Sequence, residues 1–342
     1  MSVMADRTSL PFNPLRKTLY SLHDLFAGFS DGDVASYAAC REVKILSYFV
    51  ANGKNPTRHS GASTLEALHD NAISAAVQRL LGTQKRVVGI MGGHDMARGT
   101  PAFVDIAHVA YDLTRAGFLV ASGGGPGAME ATHLGALLSP RPRQDLDEAI
   151  RELRSVPTLP KHAKKLVGTG GRIDTAVAVD LYRWFAPAFR LATAIFADRA
   201  TPPGPSLAVP TWLYGYEPTT PFASHIAKYF QNSLREDGLV TMGRNGIVFA
   251  EGSAGTVQEI FQDVTQNCYG AFCPMVFLSP PETSFWSTTL PVEPLLKAVL
   301  KNRPEYATHV LFTDSAAAAV DFLVKLSQPG AAQAPVPLRR RP

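Results

Sequence analysis

The sequence contains little cysteine and no long hydrophobic run. Its three cysteines are too few for a disulfide framework, and none belongs to a CxxC metal pair, so we expect a reducing compartment. No run of about 18 apolar residues is present, so no transmembrane helix is predicted. The N-terminal residues lack the apolar core of a signal peptide. Together these absences predict a cytoplasmic protein without a membrane partner.

Charged residues are also scarce. They make up 18% of the chain, below the ~25% of an average globular protein, while hydrophobic residues make up 46%. This balance predicts a sizeable buried core and excludes wholesale disorder. The 33 basic and 29 acidic residues leave a net charge of +4, which is too mild to indicate a nucleic-acid partner.

Several catalytic and metal-binding motifs are absent. The nine histidines include no HExxH or comparable spacing, so no metal site is predicted. The sequence has no P-loop, which argues against an NTPase. It has no GxSxG nucleophile elbow, which argues against an α/β-hydrolase.

What is present, from Arg86 onward, is an alternation of short apolar runs and helical patterns. The runs RVVGIMGG, FLVAS, SLAVPTWLY, GIVFA, PMVFLS and HVLFTD predict strands. The segments between them, including SHIAKYFQNSLRE, predict helices. Strands without polar alternation are typical of a parallel sheet covered on both faces. The pattern therefore predicts an α/β fold with a parallel sheet sandwiched by helices.

The remaining segments predict the domain organisation. Residues 1–84 are interpreted as a mostly helical extension, with a helix over Thr64–Leu81. The α/β domain covers residues 85–328. A segment at about 140–205 interrupts the alternation and is interpreted as an insertion or a lid packed on the sheet. The low-complexity residues 329–342 are predicted to be a disordered tail.

A first glycine-rich loop, Gly123–Met129, lies between a predicted strand and a predicted helix. Glycines there let the backbone approach an anion, and a helix N-terminus supplies unpaired N–H groups. The loop also satisfies the G-x-G-x-x-A dinucleotide fingerprint. That match is weak, because the loop follows the second strand and the acidic residue ~20 positions later falls in the insertion. A turn without any ligand is the structural alternative.

A second loop, Glu251–Glu259, has the same placement between strand and helix. Its glycines and hydroxyl groups could bind a phosphate. Glu259 has two interpretations. It could form a capping box with Thr256 at the start of its own helix. It could instead remain ionised beside a sugar and stabilise a developing cation or orient water.

Two such loops in one parallel sheet predict a single crevice beyond the carboxyl ends of the strands. The chemistry implied is recognition of a phosphorylated small molecule. The candidate binding residues are Gly93, His94, Gly123, Gly124, Gly125, Gly127, Met129, Gly252, Ser253, Ala254, Gly255 and Thr256, and the candidate catalytic residues are Glu259 and Arg235.

With these two loops, the chain resembles the LOG ("lonely guy") family, formerly described as lysine decarboxylase-like. That family pairs a GGGxxGxM-type loop with a downstream PGGxGTxxE motif, which here are Gly123–Met129 and Glu251–Glu259. The segment Val87–Gly93 is similar to the family's opening strand and small-residue loop. The extension and the insertion resemble the larger bacterial nucleotide-nucleosidase branch.

The resemblance implies a Rossmann-like fold, a homodimer or higher homo-oligomer, and phosphoribohydrolase activity without a metal or other cofactor. Such an enzyme cleaves the N-glycosidic bond of an AMP-like nucleoside 5′-monophosphate, giving free base and ribose 5-phosphate. The second loop would hold the phosphate, and Glu259 would work at the ribose. The family's catalytic arginine precedes the PGG motif by about fifteen residues, which implies Arg235 after a one-residue shift.

Two departures from the family motif leave a second function open. Glu251 and Ser253 stand where the family has proline and glycine. A Glu251 carboxylate pointing inward would weaken anion binding. The alternative is therefore a non-catalytic nucleotide-binding or sensing protein of the same fold. The enzyme is favoured if Arg235 and Glu259 both line the crevice, and the sensor is favoured if Glu251 fills the phosphate site.

Other polar side chains near these motifs have alternative interpretations. His94 could bind a base or ribose, or lie in a solvated loop, and Arg98 could pair with a phosphate. His225, Lys228 and Arg235 are predicted to lie on one helix at spacings that let them share a face. A solvated helix surface is the alternative, and it is favoured more for Lys228 than for Arg235.

The insertion contains an aromatic group, Trp184, Phe185 and Phe189. These side chains are predicted to belong to the core. A lid over a planar ligand is the alternative.

Overall fold

Seven short apolar segments form a parallel β-sheet at the centre of the molecule. The computed structural model describes residues 10–54, 59–84 and 86–328. In chain order the strands are β1 (Val87–Met91), β2 (Leu119–Ser122), β3 (Ser206–Ala208), β4 (His225–Ile226), β5 (Ile247–Phe249), β6 (Met275–Leu278) and β7 (Val310–Thr313). Their order in the sheet is β4-β3-β2-β1-β5-β6-β7. All pairings between these strands are parallel, so the predicted Rossmann-like α/β fold is confirmed.

Helices surround the sheet and account for most of the remaining described residues. They are α1 (Leu22–Leu25), α2 (Ser36–Ala39), α3 (Arg41–Ala51), α4 (Ser60–Thr83), α5 (Pro101–Arg115), α6 (Ala128–Leu138), α7 (Arg143–Leu153), α8 (Thr175–Ala197), α9 (Asn232–Met242), α10 (Ala254–Tyr269), α11 (Glu293–Val299), α12 (Tyr306–His309) and α13 (Ala316–Leu326). Single 3-10 turns occur at Ala163–Lys165, Thr169–Gly171 and Trp212–Tyr214. Strands β1, β2, β3, β5 and β6 are buried throughout, as expected for parallel strands covered on both faces.

The order of the strands places the crevice of the sheet between β1 and β5. Strands β1, β2, β3 and β4 are added one after another towards one edge of the sheet. Strand β5 then pairs with the other side of β1. The loops after β1 and β5 therefore leave the same edge of the sheet towards opposite sides. In open α/β sheets, a reversal of this kind creates the crevice in which ligands bind.

The N-terminal residues attach to the β4 edge of the sheet. Tyr20 and Ile226 exchange both backbone hydrogen bonds in an antiparallel bridge, with N···O distances of 2.9 and 3.0 Å. Farther along, Glu42 of α3 and Lys228 form a buried ion pair. These contacts cover the terminal strand of the sheet with residues from before the α/β domain.

Helix α8, which lies in the segment predicted to be an insertion, packs in the core. On α8, Phe185 stacks on Phe26 with ring centroids 4.5 Å apart, and Phe189 lies 4.5 Å from Phe29. The helix continues through Pro187 to Ala197. Trp184, Phe185 and Phe189 are all buried, which confirms the core prediction and excludes the lid alternative for these aromatic residues.

The predicted helix over SHIAKYFQNSLRE is wrong in its first half. His225 lies in β4, opposite Leu207, and the backbone amide of Ala227 continues the pairing by donating to Ala208. Helix α9 begins only at Asn232, so Arg235 is helical while His225 and Lys228 are not. Pairing with β3 supplies hydrogen bonds that the local pattern could not predict.

Two further predictions differ from the structure or fall outside it. The predicted strand SLAVPTWLY is shorter, because β3 ends at Ala208 and a 3-10 turn occupies Trp212–Tyr214. The predicted disordered tail, residues 329–342, lies outside the described residues.

Candidate functional site

A cavity of about 350 Å³ lies at the carboxyl ends of β1, β2, β3 and β5. Its volume is within the ~300–1,000 Å³ that is typical of small-molecule sites. The lining residues are Met91, Gly92, Gly93, His94, Gly123, Met129, Tyr214, Tyr216, Glu217, Arg235, Glu236, Ser253, Ala254, Gly255, Thr256, Gln258 and Glu259. Residues of both predicted glycine loops are therefore brought together in one crevice.

The first glycine loop is shaped by close approaches that only glycine allows. A Cβ on Gly123 would collide with the Arg235 guanidinium and would lie 2.6 Å from Met129 Sδ. Gly127 has a φ of +69°, and a Cβ there would collide with the carbonyl oxygen of Gly93. Gly123 and Met129 line the cavity, whereas Gly124, Gly125 and Gly127 do not.

The second glycine loop places the N-terminus of α10 at the cavity. Helix α10 begins at Ala254. The first backbone hydrogen bond of the helix runs from the amide of Val257 to the carbonyl oxygen of Ser253. The amides of residues 254–256 have no acceptor within the helix, as at any helix N-terminus. This end of the helix therefore favours anions. A Cβ on Gly255 would meet no atom within 4 Å, so this glycine borders open space.

The predicted capping box between Thr256 and Glu259 is wrong. The N-cap residue is Ser253, and Thr256 already lies inside the first helical turn. Thr256 instead packs against Gly252, where a Cβ would lie 2.7 Å from Thr256 Cβ. The side chain of Glu259 is therefore not used to cap its own helix.

Arg235 and Glu259 meet inside the cavity. Arg235 Nη1 lies 3.5 Å from Glu259 Oε1, and both side chains are largely buried. Arg235 Nε also donates a hydrogen bond of 3.3 Å to the carbonyl oxygen of Val209. Burial raises the pKa of the Glu259 carboxyl, and the adjacent Arg235 guanidinium opposes that rise. A carboxyl group and a guanidinium thus line one small cavity.

The Glu251 side chain points away from this cavity. Its carboxylate accepts a hydrogen bond from Thr283 Oγ1 and lines a neighbouring cavity with Pro280 and Phe285. Its backbone oxygen accepts a hydrogen bond of 2.8 Å from the amide of Gly93, which joins the loops after β1 and β5. Although Glu251 stands in place of the proline of PGG, its carboxylate therefore does not lie beside the N-terminus of α10.

The lining side chains that were not among the predicted site residues are Met91, Tyr214, Tyr216, Glu217, Glu236 and Gln258. Tyr214, Tyr216 and Glu217 follow β3 and form one wall of the cavity. Burial raises the pKa of the Glu217 carboxyl, whereas the neighbouring charges of His94 and Arg235 lower it. The only available signal was the stretch YGYE after a predicted strand, because polar and aromatic residues at that edge of a parallel sheet can reach its crevice.

Two basic residues proposed from the sequence are occupied elsewhere. Arg98 is buried and binds Glu130 through two hydrogen bonds of 2.7 Å, so its predicted role as a phosphate partner is wrong. The same guanidinium lies 3.9 Å from the ring centroid of Trp184. Lys228 is completely buried against Glu42, which overturns the prediction that it lies on a solvated surface.

Within residues 10–54, 59–84 and 86–328, no group of three or more histidine, cysteine, aspartate or glutamate side chains could hold a metal ion. Over those same ranges, no helix is both long enough and apolar enough to cross a membrane.

Comparisons with known proteins give little to add to this geometry. No model of a known protein family and no curated protein matches the chain. Among solved structures, the chain is similar to a molybdenum cofactor binding protein from the phototrophic bacterium Rippkaea orientalis. The two are 11% identical with a TM-score of 0.41, and the match covers 72% of this chain and 99% of the other. Function must therefore be argued from the site itself.

Proposed function

We propose that this chain is a nucleoside 5′-monophosphate phosphoribohydrolase of the LOG type. The observation that supports it best is the Arg235–Glu259 pair, at 3.5 Å, beside the N-terminus of α10 in one cavity. As the resemblance implies, the proposal includes a homodimer or higher oligomer that needs no cofactor, and the composition of the chain places it in the cytoplasm.

The proposal assigns the phosphate to the first turn of α10. The amides of Ala254, Gly255 and Thr256, with the hydroxyl groups of Ser253 and Thr256, can donate to phosphate oxygens. Open space beside Gly255 leaves room for a close approach. The Glu251 carboxylate is held in the neighbouring cavity by Thr283 and does not oppose the anion.

Glu259 and Arg235 then act on the ribose. Ionised Glu259 faces C1′ and stabilises the oxocarbenium-like transition state, in a cavity where charges are weakly screened. The C1′–N bond breaks, and its electron pair goes to the base. Water adds its oxygen to C1′, and the proton that this water releases is taken up by the base. The Arg235 guanidinium favours the ionised form of Glu259 against the effect of burial.

The proposal is tested by base release from AMP, GMP, CMP, UMP and IMP. We expect Glu259→Gln to lower kcat by about 100-fold or more, because a neutral amide cannot stabilise the cationic transition state. Asp263→Asn is the matched control. Asp263 is a buried carboxyl one turn farther along α10 and outside the cavity, and burial raises its pKa well above the usual range, so an amide resembles its protonated form.

Base release that is lost in Glu259→Gln and retained in Asp263→Asn supports the enzyme. Nucleotide binding without base release by the wild type would contradict it. That result would favour the alternative, a non-catalytic nucleotide-binding protein built on the same site.

A further inference from the structure

Glu217 is a half-buried carboxyl that lines the cavity. Its side chain is 12% exposed, and its ion-pair contact is His94 Nε2 at 4.0 Å, which is beyond hydrogen-bond distance. Among the described residues, the Glu217 carboxyl forms no hydrogen bond, so both of its oxygens remain acceptors. Both oxygens are therefore available to a ligand that supplies donors.

Glu217 lines the same cavity as the first turn of α10 and Glu259. Arg235 contacts Glu259 through Nη1 at 3.5 Å, and its guanidinium lies against Gly123 of the first glycine loop. Glu217 Oε2 lies 3.4 Å from the position that a Cβ on Gly125 of that loop would occupy. With the phosphate on α10 and the ribose at Glu259, the first glycine loop and Glu217 are left for the base.

The segment that carries Glu217 is held in place by buried hydrogen bonds. Thr219 donates to Glu42 through its backbone amide at 3.1 Å and its hydroxyl at 2.7 Å. The next amide, of Thr220, donates to the carbonyl oxygen of Gly124 at 2.8 Å. The backbone beside Glu217 is thus fixed relative to the first glycine loop.

Two acceptor oxygens in one plane match two adjacent donors. Among the common nucleobases, guanine presents such a pair on its Watson–Crick edge, N1–H and the exocyclic N2–H₂. Hypoxanthine retains N1–H but lacks the amino group. The phenol rings of Tyr214 and Tyr216 lie in the same wall and offer apolar faces for a planar base.

We propose that Glu217 recognises the nucleobase and selects guanine nucleotides through paired hydrogen bonds to N1–H and N2–H₂. This inference rests on the proposed function for the placement of the phosphate and ribose. The carboxylate form is the one that accepts both bonds. Burial opposes that form by raising the pKa of Glu217, whereas His94, Arg235 and Lys164 favour it.

The test compares GMP with IMP, which differ only in the N2 amino group. We expect wild-type kcat/KM to favour GMP by about 10- to 100-fold, the discrimination typical of a bidentate base contact. Glu217→Gln should bring the ratio close to one, because an amide accepts from N1–H and donates to O6, and guanine and hypoxanthine share both groups. Asp95→Asn is the control, since Asp95 also contacts His94 Nε2, at 3.1 Å, but is 90% exposed.

Dissociation constants for GMP and IMP, measured by calorimetry, separate this inference from the proposed function. A preference for GMP that depends on Glu217 supports the inference even if no base is released. Equal effects of Glu217→Gln on GMP and IMP would overturn it, because a carboxyl that binds the ribose hydroxyls affects both nucleotides alike. A wild type that binds IMP as tightly as GMP would overturn it as well.

Discussion

At the scale of single residues, Gly255 is a position where a substitution should change ligand binding without lowering stability. It is the second residue of α10, and an added Cβ would meet no protein atom within 4 Å. Glycine is less favourable than alanine in a helix by roughly 0.5–1 kcal/mol, so the protein gains no stability from it. The free space beside it suggests a requirement for ligand access.

We therefore expect Gly255→Ala to retain or slightly increase stability while weakening nucleotide binding by about tenfold or more, because the methyl group fills the space that the proposal gives to phosphate. Urea unfolding and calorimetry with a nucleoside monophosphate measure the two effects. Gly82→Ala is the control, because Gly82 is also helical, in α4, with no atom within 4 Å of an added Cβ. Unchanged affinity in Gly255→Ala would show that the phosphate does not lie at the first turn of α10.

Glu66 on α4 predicts a pH-dependent stability. Burial and the neighbouring Asp70 raise the pKa of Glu66 to about 7, and its Oε1 has no hydrogen-bond partner among the described residues. A raised pKa means that the folded state holds the proton more tightly than the unfolded state. The stabilisation that protonated Glu66 contributes to the folded state is fully present below the usual carboxyl pKa of about 4.5. It is lost as the pH rises to about 7.

We expect Glu66→Gln to remove this dependence, which is about 1.4 kcal/mol for each pH unit within that window. Denaturant unfolding of both proteins between pH 4 and pH 8 measures it. The exposed Glu152 of α7 gives a control, Glu152→Gln, which should leave the slope of the wild type unchanged. Parallel curves for the wild type and Glu66→Gln would contradict the prediction.

At the scale of secondary-structure elements, a buried ion pair joins α3 to the segment after β4. Lys228 Nζ donates to Glu42 and, at 3.0 Å, to Thr219 Oγ1. The ammonium group also lies 5.3 Å from the ring centroid of Trp212. Both ion-pair partners are almost fully buried, so each depends on the other for compensation of its charge.

We expect Glu42→Ala to destabilise the protein by about 3–5 kcal/mol, because it leaves Lys228 charged, buried and unpaired. The double variant Glu42→Met with Lys228→Met should recover a large part of that loss, since no buried charge remains. Unfolding free energies in urea for the wild type, Glu42→Met, Lys228→Met and the double variant measure the coupling. Additive losses would show that the pair does not hold α3 to the sheet.

The same segment shows why one element was wrongly predicted. The apolar spacing of SHIAKYFQNSLRE is compatible with a helix, and nothing local distinguishes it from a buried strand followed by a turn. The strand forms because its residues His225 and Ile226 pair with the edge of β3. The following Lys228 is held by its ion pair with Glu42 of α3. Helix α9 then forms over the remaining residues, which places Arg235 over Gly123.

At the scale of the whole molecule, the strand order explains the position of the site. Strands β1 and β5 are separated by more than 150 residues but are adjacent in the sheet. Their following loops meet through the hydrogen bond from Gly93 to Glu251. The prediction that both glycine loops share one crevice is confirmed in its geometry, while their roles in binding nucleotide stay predictions.

The sequence by itself determined the parallel α/β class and the positions of the two glycine loops before helices. These features are local, because apolar runs, glycine and helical spacing act over a few residues. Only the tertiary structure decided which side chains meet: Arg235 with Glu259, Glu217 with His94, and Lys228 with Glu42. Such contacts depend on the sheet order and on burial, which bring together residues up to 186 positions apart, and no local pattern contains that information.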